Sequence, residues 1–512
     1  MQERVFELLA RESLRGEALS RPSTPILSVT SVLFFFCAGA AWVGASGVLD
    51  QDYHIFWLAV ALSFFLAGLF FLIFSHTRGF GLSSFRLGPW FLGYAVVAYG
   101  LASLTLVGPL DISLRVIDKS SFPTAFGVVA IGAAAWSVGY ATGPSRAIRR
   151  AFLAGRVLVT KGLSGSIRGR GVLLVLFTLA MGADVFGIVV DGRFGYLGEA
   201  TNVTAATVQW YGQPLSILSN LKYVALFGAA ARVYVEKKDS PIPFLIPLAS
   251  VTLLWGLLEG MKESFVTCLV SIAVPYFIGK GKLKLLPIFM TLVVFVVIVT
   301  PAVSALRTDV RGDRGSMDVN SALAAATERI FSTDTYNGSS DNDSVDSIAS
   351  RVRLVDNVAV IAQRTPSEIP FRSMDELAIA PISALIPRLF WPDKPVQISG
   401  YEFFKNYYGG LSKSSSAITL PGSLYLYGGV SVVVIGMCLC GFLLRGFDDV
   451  IRARSSLTGA LLVSISFTII VKQEIDVSTF LATIPVLAAT WIIGCRALFV
   501  PSNNVVTASR GK

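Results

Sequence analysis

The chain alternates long apolar runs with shorter polar connections. Twelve of these runs are roughly 16 to 24 residues long, and a helix of that length crosses about 30 Å of hydrocarbon. They are Ile26–Ala45, Ile55–Ser75, Gly88–Val107, Pro123–Thr142, Gly171–Val190, Gln213–Tyr234, Ile242–Leu258, Ser264–Gly279, Leu285–Val303, Gly428–Leu444, Ser456–Val471 and Ser478–Cys495. A helix satisfies its own backbone hydrogen bonds where no water is present. The pattern therefore predicts an all-α polytopic membrane protein with about twelve transmembrane helices.

Composition and connection length support this prediction and divide the chain into parts. Of 512 residues, 53% are hydrophobic and 15% are charged, more apolar surface than a soluble core needs. We predict a cytoplasmic N-terminal segment (1–25), helices 1 to 9 (26–305), a large external loop (306–427), helices 10 to 12 (428–495) and a cytoplasmic tail (496–512).

Lys and Arg residues set the predicted orientation. They are concentrated in the N-terminal segment and in the connection between the fourth and fifth spans, which holds Arg146, Arg149 and Arg150. The positive-inside rule then places both termini in the cytoplasm. The net charge of +10 is explained by cytoplasmic loops facing anionic lipid, so it implies no nucleic-acid partner. The first apolar run is full length, and we expect it to be a retained anchor.

The sequence has few of the motifs on which catalytic sites are built. It contains no Walker A loop, HExxH or Rossmann fingerprint, and its two histidines, His54 and His76, fall at opposite membrane boundaries. All five cysteines lie inside predicted spans, so we expect no metal site from them. Asp50 and Asp52 form an Asp-x-Asp in the first external turn, which predicts either a divalent-cation site or a solvated turn.

The large external loop is the functional candidate. Its stretch PRLFWPDKP (Pro387–Pro395) contains prolines that stop a helix, next to aromatics typical of a membrane interface. Arg388 and Lys394 would lie near the headgroup plane, where they could bind phosphate or serve as snorkelling anchors. Upstream, Arg351–Gln363 has the pattern of an amphipathic helix, which we expect to lie on the outer face of the membrane.

Three stretches of the second half resemble the Wzy-type O-antigen polymerase family, the oligosaccharide repeat-unit polymerases of bacterial envelopes. They are LIPRLFWPDKP with the following ITLPGSLYLYGGVSVVVIGMCLCG (Ile418–Gly441), GMKESFV (Gly260–Val266) and PAVSALRTDVR (Pro301–Arg311). The first half is similar only in hydropathy.

The resemblance implies a GT-C-like fold in the cytoplasmic (inner) cell membrane, with no metal or other cofactor. The implied reaction is transfer of a glycan chain from undecaprenyl diphosphate onto a new lipid-linked repeat unit, outside the membrane. The implied partners are the lipid-linked donor and acceptor, with a chain-length regulator and a flippase as further candidates.

Such a reaction needs cations for the diphosphate leaving group and a carboxylate for the acceptor's proton. The candidate catalytic cations are Arg307, Arg388 and Lys262. The candidate substrate-binding residues are Arg311, Arg353, Lys394, Trp391 and Tyr425, and the possible bases are Glu259, Asp393 and Glu474. Pairing with neighbouring charges explains these residue types as well. The family often carries an acidic residue just before the Tyr of the stretch GSLY, and in this chain Ser423 lies near that place.

Other function classes stay open at this point. A metal-dependent GT-C glycosyltransferase and a glycan ligase share the layout, and a transporter of lipid-linked oligosaccharides or other solutes has similar spans, although the sequence shows no internal repeat. Asp184 and Lys222 lie in the fifth and sixth spans at similar depth. This predicts either an ion pair between the two helices or a role in a substrate cavity.

Overall fold

A computed structural model gives the structure of the protein. The residues that it describes are 24–76, 86–107, 117–145, 148, 154–155, 159–191, 212–258, 262–280, 353–386, 390–391, 400–409, 418–452 and 457–501.

Long apolar helices make up most of the described residues. The helices up to residue 280 are α1 (Thr24–Ser46), α2 (Gln51–His76), α3 (Leu87–Ala95, continued by a π turn at Val96–Gly100 and a 3-10 turn at Leu101–Val107), α4 (Phe122–Thr142), α5 (Arg170–Asp191), α6 (Gly212–Tyr234), α7 (Ile246–Leu258, preceded by a π turn at Pro241–Leu245) and α8 (Lys262–Lys280). The later helices are α9 (Val355–Arg364), α10 (Met374–Leu385), α11 (Gly400–Tyr408), α12 (Leu420–Leu426), α13 (Gly429–Arg452), α14 (Leu457–Val471) and α15 (Val477–Leu498). Two short strands, β1 (Leu163–Ile167) and β2 (Phe499–Pro501), pair antiparallel.

The helices agree with the predicted membrane segments. Within the described residues, nine helices are long and apolar enough to cross a membrane, and two more apolar helices, over Pro241–Gly256 and Leu457–Val471, are shorter. These helices coincide with all the predicted spans except Leu285–Val303, which lies outside the described residues. The prediction of an all-α membrane protein is confirmed.

Glycine residues allow α4 and α13 to pack backbone against backbone. A Cβ atom on Gly139 would lie 2.0 Å from the carbonyl oxygen of Cys438, and one on Gly441 would lie 2.1 Å from the carbonyl oxygen of Trp136. Each helix therefore presents a glycine to the main chain of the other. Small residues are the usual means of close helix approach in membranes, where apolar burial alone does not drive association.

Asp448, near the end of α13, fixes the start of α3. Its carboxylate accepts hydrogen bonds from the backbone N–H groups of Leu87 (2.9 Å) and Gly88 (3.0 Å) and from the hydroxyl of Tyr140 (2.7 Å). A carboxylate at this position satisfies N–H groups that have no partner within the helix. The start of α3 and the ends of α4 and α13 thus lie at one level. We call this the inner end of the bundle and the opposite end, where α4 begins, the outer end, following the predicted orientation.

A second ionic cluster joins α5 and α6 at the inner end. Asp239 accepts hydrogen bonds from Nε of Arg170 (2.7 Å) and from the Arg232 guanidinium. Burial alone would raise the pKa of Asp239, but the two guanidiniums hold that pKa below its ordinary value. Nearby, Glu236 accepts from the backbone N–H of Ile167 in β1 (2.9 Å). The cluster therefore ties the short sheet to the helices.

Asp184 and Lys222 form the ion pair that their depth predicts. Lys222 Nζ lies 2.7 Å from Asp184 Oδ2, and the two side chains are only 4% and 8% exposed. The hydroxyl of Ser219 also donates to Asp184. The pair connects α5 and α6 and satisfies both charges inside the bundle.

Candidate functional site

The turn between α14 and α15, Lys472–Asp476, lies deep in the bundle, and we call it the recessed turn. Gln473 Nε2 donates to the carbonyl oxygen of Phe91 (2.8 Å), and the ring of Phe91 stacks on Trp136 at 4.8 Å. Trp136 is fourteen residues along α4 from its outer end at Phe122. At 1.5 Å per residue, the turn is about 20 Å below that end.

Glu474 lies in this turn, at the end of a short helix. α14 has only 15 residues, and a helix of that length spans about 22 Å, less than the ~30 Å of a hydrocarbon core. The hairpin of α14 and α15 therefore turns back before the outer end of α4. Glu474 contacts Tyr94, three residues further along α3 than Phe91.

α12, a helix of the predicted external loop, packs against the recessed turn and the start of α15. The backbone N–H of Leu420, at the start of α12, donates to the carbonyl oxygen of Gln473 (3.0 Å). Ser423, on the same short helix, accepts from the backbone N–H of Val477 through its hydroxyl oxygen (2.9 Å). α12 is buried along almost its whole length. The predicted external loop thus contributes part of the bundle interior.

α9 is also buried, which corrects the prediction that Arg351–Gln363 lies on the membrane surface. Val358 and Ile361 are fully buried, and the backbone N–H of Leu354 donates to the carbonyl oxygen of Ala98 in the π turn of α3 (3.1 Å). The amphipathic pattern predicted the helix correctly. Its apolar face packs on other helices instead of on lipid, because neighbouring helices surround it.

Arg353 is buried as well, and it contacts Thr105 near the outer end of α3. Its Nε lies 2.8 Å and 2.9 Å from the two carboxylate oxygens of Asp356, and its Nη1 donates to Thr105 Oγ1 (3.0 Å). The Arg353 side chain is 4% exposed. Its Nη2 is buried and has no hydrogen-bond partner within the described residues. Nε and Nη1 of the guanidinium are thus held in place, whereas Nη2 has no described partner.

Glu474 is held by Tyr94. The Tyr94 hydroxyl donates to Glu474 Oε1. In an α-helix, residues five apart lie on different faces. The π turn at Val96–Gly100 adds one residue to the turn, which brings Tyr94 and Tyr99 to the same side. Turns of this kind occur often at functional sites.

The recessed turn also contacts the start of α8. Lys472 Nζ lies 2.9 Å from Glu263 Oε2, with the two side chains 35% and 37% exposed. Lys262 begins α8 directly before Glu263, and its side chain lies outside the described part of the structure. The contact brings the chain around the predicted cation Lys262 next to the turn that carries Glu474.

Other residues near the turn have structural roles. Asp476 accepts from the backbone N–H groups of Ser478 (3.1 Å) and Thr479 (3.0 Å), which makes it the cap of α15. Tyr427 hydrogen-bonds Ser478 through its hydroxyl, and burial raises the pKa of Tyr427. These contacts fix the turn relative to α12 and α15.

Among the remaining predicted residues, two have described positions. Tyr425, in α12, is half-buried and packs edge-on against Phe371 at 6.5 Å. Trp391 is half-buried. Neither is placed next to Glu474 by a described contact. The predicted residues that lie outside the described part of the chain are Arg307, Arg311, Arg388, Lys394, Glu259 and Asp393.

Both aspartates of the Asp-x-Asp motif in the first external turn make contacts within the protein. Asp50 Oδ1 accepts from the backbone N–H groups of Asp52 (2.9 Å) and Tyr53 (3.2 Å) at the start of α2. Asp52 pairs with Lys119. Within the described residues, no group of three or more His, Cys, Asp or Glu side chains could hold a metal ion. These contacts favour the structural interpretation of the motif.

Two residues around Glu474 gave little signal in the sequence. Tyr94 and Gln473 lie inside or beside apolar runs, where aromatic and amide side chains are common. The available signal was the short length of the eleventh apolar run, Ser456–Val471, because short spans often mark a site within the membrane.

The fold defines the class of protein: an α-helical membrane protein with charged residues inside the helix bundle. The chain belongs to the family described as domain of unknown function DUF8712, whose model matches residues 198–453, half of the chain. The match extends from before α6 to the end of α13 and includes α9 and α12. No curated protein and no solved structure matches the chain.

Proposed function

We propose that the protein polymerises lipid-linked oligosaccharide repeat units on the external face of the cytoplasmic membrane. It would transfer a growing glycan from undecaprenyl diphosphate onto the next lipid-linked unit, as the resemblance to the Wzy-type O-antigen polymerases implies. The product would be a surface polysaccharide such as O-antigen, capsule or exopolysaccharide.

The observation that carries the proposal is the position of Glu474. A carboxylate recessed among apolar helices is costly and points to a functional site. Glu474 Oε1 accepts from Tyr94, whereas Oε2 has no partner within the described residues. Ser423, near the place where the related polymerases often carry an acidic residue, accepts from the backbone N–H of Val477, directly after the recessed turn. Glu474, in the turn that precedes α15, would supply the carboxylate that the related polymerases often carry near the position of Ser423.

Each chemical need of the reaction has a candidate group. The acceptor hydroxyl oxygen would attack the anomeric carbon of the donor while the bond from that carbon to the diphosphate breaks. Glu474 would take the hydroxyl proton, and the diphosphate would leave with the bonding electrons. Among the described residues, Lys472 lies in the recessed turn itself, and Arg353 has a buried Nη2 without a described hydrogen-bond partner. Arg307, Arg388 and Lys262 stay the predicted cations for the leaving group.

The first test is Glu474→Gln in a strain that lacks the chromosomal gene. The amide keeps the hydrogen bond from Tyr94 but cannot take a proton, so we expect a stable membrane protein whose polymer yield falls at least 100-fold. The measurement is a gel of cell-surface glycan, with the protein level followed in membranes.

The matched control is Glu368→Gln. Glu368 is well exposed, pairs with Arg364 at 3.7 Å and has no described contact to the recessed turn. We expect this variant to restore the normal ladder of chain lengths. A normal ladder from Glu474→Gln would remove Glu474 from the reaction.

A transporter of lipid-linked oligosaccharides or other solutes is the alternative from another class. Charged residues inside spans, such as Asp184, Lys222 and Glu474, are also typical of transport pathways. The two functions differ in where the lipid-linked unit stops when the gene is removed. Loss of a polymerase leaves single units exported, whereas loss of the exporter retains them on the cytoplasmic side.

A further inference from the structure

Cations outnumber carboxylates at the inner end, where α5, α6, α15 and the short sheet meet. Residues 143–170 and 499–512 contain no Asp or Glu, and the connection from α6 to α7 contains only Glu236 and Asp239. The cations described here, which we call the basic patch, are Lys161, Arg168, Arg170, Arg232, Lys237, Lys238 and Arg496. Seven positive charges thus face two negative ones.

Hydrogen bonds to main-chain carbonyl oxygens hold the basic patch together. Arg168 donates through Nε to the carbonyl of Phe499 (3.2 Å) and through Nη2 to that of Arg496 (3.2 Å). Arg496 donates in turn to the carbonyl of Lys161 (3.5 Å), and Arg232 donates to that of Arg168 (3.0 Å). A carbonyl group orients a guanidinium but leaves its positive charge in place.

Both carboxylates of this region are turned into the protein. Asp239 is only 3% exposed and pairs with Arg170 and Arg232. Glu236 is 10% exposed and pairs with Lys238 at 3.2 Å. Within the described residues, the cations of the basic patch without a carboxylate partner are Lys161, Arg168, Lys237 and Arg496. Their charge is available to an anion from outside the chain.

Exposed apolar side chains begin about one helical turn from the basic patch. Val175 is 57% exposed and lies five residues along α5 from Arg170, and Ile493 is 41% exposed and lies three residues before Arg496 on α15. These separations are about 8 Å or less along the helix axis. Ile242, in the π turn before α7, is 71% exposed. The cations therefore lie at the level where lipid headgroups meet acyl chains.

We propose that the basic patch binds the headgroup phosphate of an anionic phospholipid from the leaflet at the inner end. Arg168, Arg496 and Lys161 form the centre of the site, because the hydrogen bonds above hold them together. Guanidiniums suit phosphate oxygens, and basic pockets between helix ends are typical sites for anionic lipids. The acyl chains lie along the exposed apolar residues next to the patch, which a soluble anion would leave uncovered. The inference does not depend on the proposed function.

The test compares Lys161→Gln with Lys405→Gln in the purified full-length protein. Lys161 makes no described side-chain contact, so its replacement should leave the fold intact, and a double variant adds Arg496→Gln. Lys405 is an exposed lysine of α11, outside the basic patch, and has no described ion pair. Native mass spectrometry during titration gives the dissociation constant of the first bound molecule. The probes are phosphatidylglycerol, phosphatidylcholine and inorganic phosphate.

We expect the wild type to bind phosphatidylglycerol at least tenfold more tightly than phosphatidylcholine or inorganic phosphate. Each cation removed from the patch should weaken phosphatidylglycerol binding about fivefold, the effect of one basic residue near a lipid surface. Lys405→Gln should bind it like the wild type. The melting temperature in detergent without added lipid, followed for each variant, separates lost binding from lost folding.

Three results would overturn the inference. Equal affinity of the wild type for phosphatidylglycerol and phosphatidylcholine would show that the patch does not recognise the anionic headgroup. Unchanged phosphatidylglycerol binding by the double variant would place the lipid elsewhere. Inorganic phosphate bound as tightly as phosphatidylglycerol would make the patch a site for a soluble anion.

Discussion

Asp184 and Lys222 place opposite charges on two adjacent helices near mid-depth. Asp184→Asn would leave Lys222 buried without a counter-charge, and breaking a buried pair in this way costs roughly 3–5 kcal/mol. We expect a large fall in the melting temperature of the purified protein. The double variant Asp184→Asn with Lys222→Met should recover most of the loss, because it removes the uncompensated charge. A single variant that melted like the wild type would show that the pair adds nothing to stability.

At the residue scale, a prediction was correct where it depended only on the positions of residues along their helices. Counting residues from a shared turn placed Asp184 and Lys222 at one depth, and the ion pair followed. The contact between Tyr94 and Glu474 needed a π turn and a recessed hairpin, neither of which the hydropathy pattern predicts. Arg353 was predicted at the outer face and is buried, since its helix packs on α3.

At the scale of helices, the close crossing of α4 and α13 depends on glycine residues. Gly139→Ala would place a methyl group 2.0 Å from the carbonyl oxygen of Cys438, so the two helices must separate. Forced overpacking usually costs about 1–3 kcal/mol, and here the obstacle is main chain that cannot rotate away. We expect lower yield of folded protein and a lower melting temperature, measured by size-exclusion chromatography and thermal unfolding in detergent.

Gly127→Ala is the control on the same helix. A Cβ atom at Gly127 meets nothing within 4 Å. Alanine is also the better helix former, so this variant should match or exceed the wild type in stability by up to about 1 kcal/mol. Equal behaviour of the two variants would contradict the close crossing.

The helical elements were largely predictable, but their vertical placement was not. A run of apolar residues shows that a helix can enter the membrane, whereas its depth depends on what the helix packs against. α14 was predicted as a full span, and its 15 residues instead end at the level of Phe91. α9 and α12 were predicted outside the membrane and are buried among the spans.

At the scale of the whole molecule, the buried position of α9 and α12 changes the expected location of the chemistry. The sequence directed attention to an interfacial segment, Pro387–Pro395, most of which lies outside the described residues. The described residues instead bring Glu474 and Tyr94 together beside α12, a helix of the predicted external loop. A lipid-linked substrate in the outer leaflet could reach a site at this depth without losing contact with the membrane.

The most direct test of the account is the glycan that cells make without this gene. Surface glycan and lipid-linked units would be analysed by gel in the deletion strain and in the strain complemented with the intact gene. The account predicts chains limited to a single repeat unit in the deletion strain, exported across the membrane, and a full ladder after complementation. An unchanged ladder in the deletion strain, or lipid-linked units held on the cytoplasmic side, would contradict it.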